Sequence, residues 1–199
     1  MGLTFHYRGK IKRADMLQDL VAEVVDFAKI NNFPYQSDLF EQAFPGGKLV
    51  DYQGDKKLYG VSFSPEKCDP IFLTFVSNGR LCSPMQLMIS SPSDESDDDF
   101  FYLLFTKTQF AGVDTHILVM DFLRYLSKKY FSEFEMDDEG HYWQTQDRTL
   151  LEETFERYRR GLDIITSSFE MIPRNEDESL DDYVTRILKR SHDKYRGKG

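Results

Sequence analysis

The chain has 199 residues and a mass of 23.4 kDa, enough for one substantial hydrophobic core. With 40% hydrophobic and 15% aromatic residues it is too apolar to be disordered, and its two cysteines are too few for a disulfide-stapled domain. A formal charge of −9 disfavours nucleic acid or an anionic membrane as partner. The positively charged start has no apolar run behind it, and the longest such run, Phe100 to Phe105, is far short of a membrane span. A cytoplasmic, reduced protein is expected.

The first strand is read from Leu3, Phe5 and Tyr7 alternating with polar partners. Asp15 with Gln18 fits a capping box, and Leu17, Leu20, Val21, Val24 and Ala28 share one face of a helix running to about Asn31, with Pro34 beyond it. A short helical turn is expected over 38–43. Strands are expected over 48–53 and 57–64 around Gly54-Asp55, the second placing Tyr59, Val61 and Phe63 together. Asn78-Gly79 predicts a two-residue type I′ hairpin, with Phe75 opposite Cys82 and a break at Pro84. Both faces of that hairpin are apolar, so both need a cover. The run FFYLLF, residues 100–105, reads as another buried strand.

A helix follows from about Asp114 to Tyr130, grouping Leu118, Phe122, Tyr125 and Leu126, and Glu133 to Glu139 reads as a charged edge strand. Asp147 predicts the cap of a long helix to Ile172, whose apolar positions Leu151, Phe155, Tyr158, Leu162, Ile165, Phe169 and Ile172 alternate in spacing between four and three. Pro173 ends it, and Ser179 with Asp182 predicts the cap of a last helix. Together these elements predict an α+β fold: a mainly antiparallel sheet of five to seven strands with an early helix and two or three later ones. One globular domain is expected over 1–172, with a linker and a C-terminal basic helix over 173–199.

The acids are clustered. Residues 93–99, 133–139 and 176–182 each hold five acids and no base, while 186–198 hold six bases and one acid. The first cluster lacks the D-x-[DN]-x-[DN]-G of a calcium loop and reads as a solvated loop. The basic tail reads as meeting the protein's own acidic patches or solvent, which leaves a clasp between them open.

Glu139, His141 and Asp147 around Tyr142 and Trp143 bring carboxylate and imidazole together with an apolar wall, a pattern open to metal or acid–base chemistry or to a plain structural role. The junction Lys107, Thr108, Gln109, Gly112 before a helix fits an anion cradle, with His116 one turn in, unless Asp114 occupies the helical amides as a cap. Cys68 and Cys82 read as buried thiols, and GxSxG, CxxC and phosphate-loop motifs are absent.

The candidate ligand-binding residues are therefore Lys107, Gln109, His116, Glu139, His141 and Trp143; no catalytic residue, metal or cofactor is assigned. The favoured reading is a non-catalytic module for protein interaction or self-association. Its rival is a small-molecule binder or enzyme with a pocket between sheet and helices, which requires His116, Glu139 and His141 to converge.

Overall fold

The computed structural model describes residues 3–89, 98–171, 175 and 179–196. The chain divides into two compact units, Met1–Leu151 and Glu152–Gly199.

The first unit begins with β1 (Thr4–Ile11), whose inward residues Phe5 and Tyr7 are buried as the alternation predicts. A 3-10 turn over Ala14–Met16 leads into α1 (Leu17–Ile30). The buried residues of α1 are the five predicted ones, Leu17, Leu20, Val21, Val24 and Ala28. Asp15 does not cap this helix; its carboxylate pairs with Arg13 at 2.9 Å. Asn32 takes the left-handed conformation beyond the helix end, with φ at 55°.

Then come β2 (Tyr35–Gln36), β3 (Tyr59–Phe63) and β4 (Ile71–Phe75), antiparallel neighbours in that order. The expected strand over 48–53 does not form, nor does a helix over 38–43; turns and irregular chain occupy both stretches. β3 instead pairs with β2 and β4, and all five of its residues are buried. Gly60 makes this possible. Its φ is 133°, and a Cβ there would lie 2.2 Å from the Leu73 carbonyl oxygen.

The hairpin after β4 is real, but its turn differs from the predicted one. Val76 N–H donates to the Arg80 carbonyl at 3.1 Å and Gly79 N–H to the Val76 carbonyl at 2.8 Å, so the loop is Ser77-Asn78-Gly79. Only Gly79 needs a positive φ, 80°. Asn78 instead uses its side chain, accepting Arg80 N–H at 2.9 Å and donating to the Tyr102 hydroxyl at 3.1 Å. The extra loop residue sets Phe75 opposite Leu81 rather than Cys82. The break at Pro84 is present: proline opens α2 (Pro84–Ile89).

The FFYLLF run is not one strand. It is split between α3 (Asp98–Phe101) and β5 (Leu104–Lys107), because Phe101 and Tyr102 turn into a cluster with Leu58, Val76, Cys82 and Leu87. Gln86 holds the split open, donating its side-chain amide to the carbonyls of Phe100, at 3.0 Å, and Leu103.

Next come α4 (Val113–Tyr130) and β6 (Phe131–Asp138). The buried face of α4 is His116, Val119, Met120, Leu123, Leu126 and Tyr130; it is rotated from the predicted one, and Leu118 and Tyr125 are exposed. Phe122 lies between the two faces, its ring stacked 3.7 Å from that of Phe27 on α1. With apolar residues around most of its circumference, the helix has no single stripe to read.

β1 is the centre of a second antiparallel sheet, ordered β5–β1–β6, with β6 on an edge as expected. The fold is thus α+β, but among the described residues its strands form two three-stranded sheets rather than one sheet of five to seven. The sheets meet where Ile11 and Leu81 donate their N–H groups to the carbonyls of Gly79 and Gly9, both at 2.9 Å. Helix α1 leads from β1 in one sheet to β2 in the other, whereas α4 joins β5 to β6 within one sheet.

The one-turn α5 (Tyr142–Thr145) precedes α6 (Arg148–Met171), capped as predicted: Asp147 Oδ1 accepts the N–H groups of Thr149 and Leu150 at 2.8 and 3.2 Å. α6 begins in the first unit and continues into the second. In the second unit, α7 (Leu180–Arg196) opens with the predicted capping box, Ser179 Oγ accepting Asp182 N–H at 3.1 Å and donating to its carboxylate at 2.7 Å. Residues 93–97 and 176–178 of the acidic clusters, Ile172, Pro173 and the last residues of the basic tail lie outside the described residues. No helix of the described residues is long and apolar enough to cross a membrane.

Candidate functional site

Alternation along β6 sorts its acids. Glu133, Glu135 and Asp137 point outward beside Lys10, Arg8 and His6 of β1, while Asp138 points inward beside Phe5. The Arg8–Glu135 pair closes to 2.6 Å.

Inside, Asp138 meets His116 from α4. His116 Nε2 lies 3.3 Å from Asp138 Oδ2, and His116 Nδ1 lies 2.7 Å from the Thr108 hydroxyl. All three side chains are buried, and the Phe5 ring stands edge-on to the imidazole with centroids 6.4 Å apart. Asp138 also accepts the N–H groups of Gly140 at 2.8 Å and Trp143 at 3.0 Å. Burial by itself would raise the Asp138 carboxyl; the hydrogen bond and charge of His116, with these two N–H groups, outweigh it and hold the carboxyl below its ordinary range.

Hydroxyl, imidazole and carboxylate in a row resemble a nucleophilic triad in composition. Access decides against that use. Every member is sealed from solvent. Its hydrogen-bonding atoms address one another, so the cluster acts as a polar rivet joining the loop after β5, α4 and the loop after β6.

The six candidate residues do not converge. His116 is in the rivet. His141 is exposed, taking a left-handed φ of 60° before α5. Trp143 packs its ring against Phe134 and under the Arg124 guanidinium, 4.7 Å from the ring centre. Gln109 is half-buried in the turn before α4. Asp114 pairs with Arg148 at 2.7 Å rather than capping α4, whose N-cap is Gly112.

Lys107 and Glu139 do come together, on the outer face of the β5–β1–β6 sheet. With Thr4, His6, Phe100, Leu103 and Phe105 they line an open hollow of about 460 Å³. Glu139 Oε2 accepts Thr4 N–H at 2.8 Å, which fixes that carboxylate at the hollow's rim. Sequence reasoning passed over His6 in the hollow and Asp138 in the rivet. Strand parity would have found both, since His6 alternates with Phe5 and Tyr7, and Asp138 shares its side of β6 with Phe134 and Met136.

Among the described residues no three His, Cys, Asp or Glu side chains are placed to hold a metal ion. Cys82 is buried as expected, whereas Cys68 is only half-buried; both are free, and desolvation pushes each thiol up to about 12, with the charge of Asp69 adding to the effect at Cys68.

Comparison with known proteins gives no relative: no family model, no curated protein and no solved structure matches the chain.

Proposed function

We propose that this protein is a non-catalytic module that works by binding another polypeptide, in the first instance a second copy of itself. One observation carries the reading. Met85, Met88 and Ile89 stand at helical spacing on the outward side of α2, exposed by 49, 81 and 65%. Positions i, i+3 and i+4 share one helix face, and methionine adapts its shape to an apolar partner. A two-fold axis through such a stripe sets apolar surface against apolar surface without requiring a second kind of site.

The sealing of His116, Asp138 and Thr108 supports a non-catalytic role, since their polar atoms are spent on the fold. The apolar hairpin lends no support, because Ile71, Leu73, Phe75, Val76, Leu81 and Cys82 are all buried within the chain.

Light scattering coupled to size exclusion tests the proposal over protein concentrations of about 1–200 μM. The expected result is a rising mean mass for the wild type and a monomer throughout for the double variant Met88→Asp, Ile89→Asp. A wild type that stays monomeric over the whole range rejects self-association. Association unchanged in the double variant rejects the α2 stripe.

A further inference from the structure

Independently of the α2 stripe, the hollow on the outer face of the β5–β1–β6 sheet has the makings of a small-molecule site. Its volume of about 460 Å³ falls within the range of about 300–1,000 Å³ usual for such sites. One end is apolar: Phe100 and Phe105 leave 51 and 41% of their surface bare, with Leu103 between them in sequence. The other end carries opposite charges. Lys107 faces Thr4 across the β1–β5 ladder, and Glu139 is bonded to the same Thr4 from the β6 side. Adjacent strands are about 4.8 Å apart, so the two backbones are separated by about 10 Å with Thr4 midway. Their side chains both border the hollow.

This arrangement discriminates between ligands by charge. An anion gains from Lys107 but faces the Glu139 carboxylate, and a cation meets the reverse. A zwitterion satisfies both ends. Glu139 spends Oε2 on Thr4 N–H, which leaves Oε1 to accept from an ammonium group, and Lys107 Nζ makes no ion pair among the described residues.

We propose that the hollow binds a free α-amino acid with a large apolar side chain: carboxylate to Lys107, ammonium to Glu139, side chain on Phe100, Leu103 and Phe105. His6, its ring 6.3 Å from that of Phe105, forms the floor between head group and side chain.

Titration of the full chain with L-phenylalanine, followed by amide chemical shifts up to about 20 mM ligand, tests this. Three partial analogues complete the experiment: 3-phenylpropanoate lacks the ammonium, 2-phenylethylammonium lacks the carboxylate, and glycine lacks the side chain. The expected result is saturable binding of phenylalanine at least fivefold tighter than any of them, with shifts centred on Thr4, His6 and Phe105. Lys107→Ala, at an exposed position, is expected to weaken it at least fivefold with an unchanged melting temperature. Glu139→Gln keeps an oxygen for Thr4 N–H and should weaken phenylalanine but not 3-phenylpropanoate. Absence of saturation, equal affinity for either singly charged analogue, or indifference to Lys107→Ala overturns the proposal. None of these outcomes depends on whether the protein self-associates.

Discussion

The Tyr7 hydroxyl serves both backbone groups of Phe72: it accepts the Phe72 N–H at 3.0 Å and donates to the Phe72 carbonyl at 2.9 Å. One side chain from the centre of one sheet thereby stands in for a neighbouring strand at the edge of the other. Tyr7→Phe keeps the ring and removes both bonds, leaving two backbone groups without their partner. Such a loss costs about 1–3 kcal/mol. Urea denaturation should show this as a lower midpoint with an unchanged slope.

Breaking the buried rivet should cost more. Asp138→Asn removes the charge that His116, Gly140 and Trp143 address, and orphaning one member of a buried pair costs about 3 kcal/mol or more. The pH dependence has a definite sign. A carboxyl held below its ordinary value adds stability above its unfolded pKa of about 3.9, and that contribution is lost as pH falls through the folded value. Denaturation free energies measured from pH 6 down to about pH 3 should therefore fall less steeply for Asp138→Asn than for the wild type. Parallel curves would remove Asp138 from the acid limb.

Glycines 60 and 161 make a matched pair for substitution by alanine. At Gly60 the new Cβ would meet a backbone carbonyl, which cannot step aside, so Gly60→Ala should lose about 4 kcal/mol or fail to fold. At Gly161, within α6, nothing lies within 4 Å of the new methyl, and Gly161→Ala should gain about 0.5–1 kcal/mol from helix propensity. Circular dichroism melts of the two variants check both signs.

Both thiols should be inert in the folded state. With each pushed up to about 12, the thiolate fraction near pH 8 is small. An aromatic disulfide reagent should therefore label neither Cys68 nor Cys82 within minutes in buffer and both in urea. Rapid labelling of native Cys82 would contradict its burial, and rapid labelling of the half-buried Cys68 would contradict its raised pKa.

What the sequence made legible follows from how local each signal is. The α1 face, the Asp147 cap and the Ser179–Asp182 box are decided within one or two helical turns, and all three were readable. The phase of α4 was not, because its apolar residues surround the helix and only contact with Phe5 and β6 selects the side bearing His116. FFYLLF misled for a related reason: six consecutive apolar residues carry no period, and the kink between Phe101 and Leu104 is set by Gln86, distant in sequence. Lys107 and Glu139 were identified separately, but their meeting depends on β1 lying between β5 and β6. That order is a property of the sheet and of no local pattern.

Alternation from Glu133 to Asp138 makes this part of β6 a ruler as much as a composition. Substituting an outward acid such as Glu133 trims a surface pair, yet changing the count of residues between Tyr130 and Gly140 by one would exchange the two sides of the strand. Asp138 would then face water, an outward neighbour would be driven toward His116, and the half-buried Phe134 and Met136 would change sides. The spacing of this stretch is therefore under tighter physical constraint than the identity of its exposed charges.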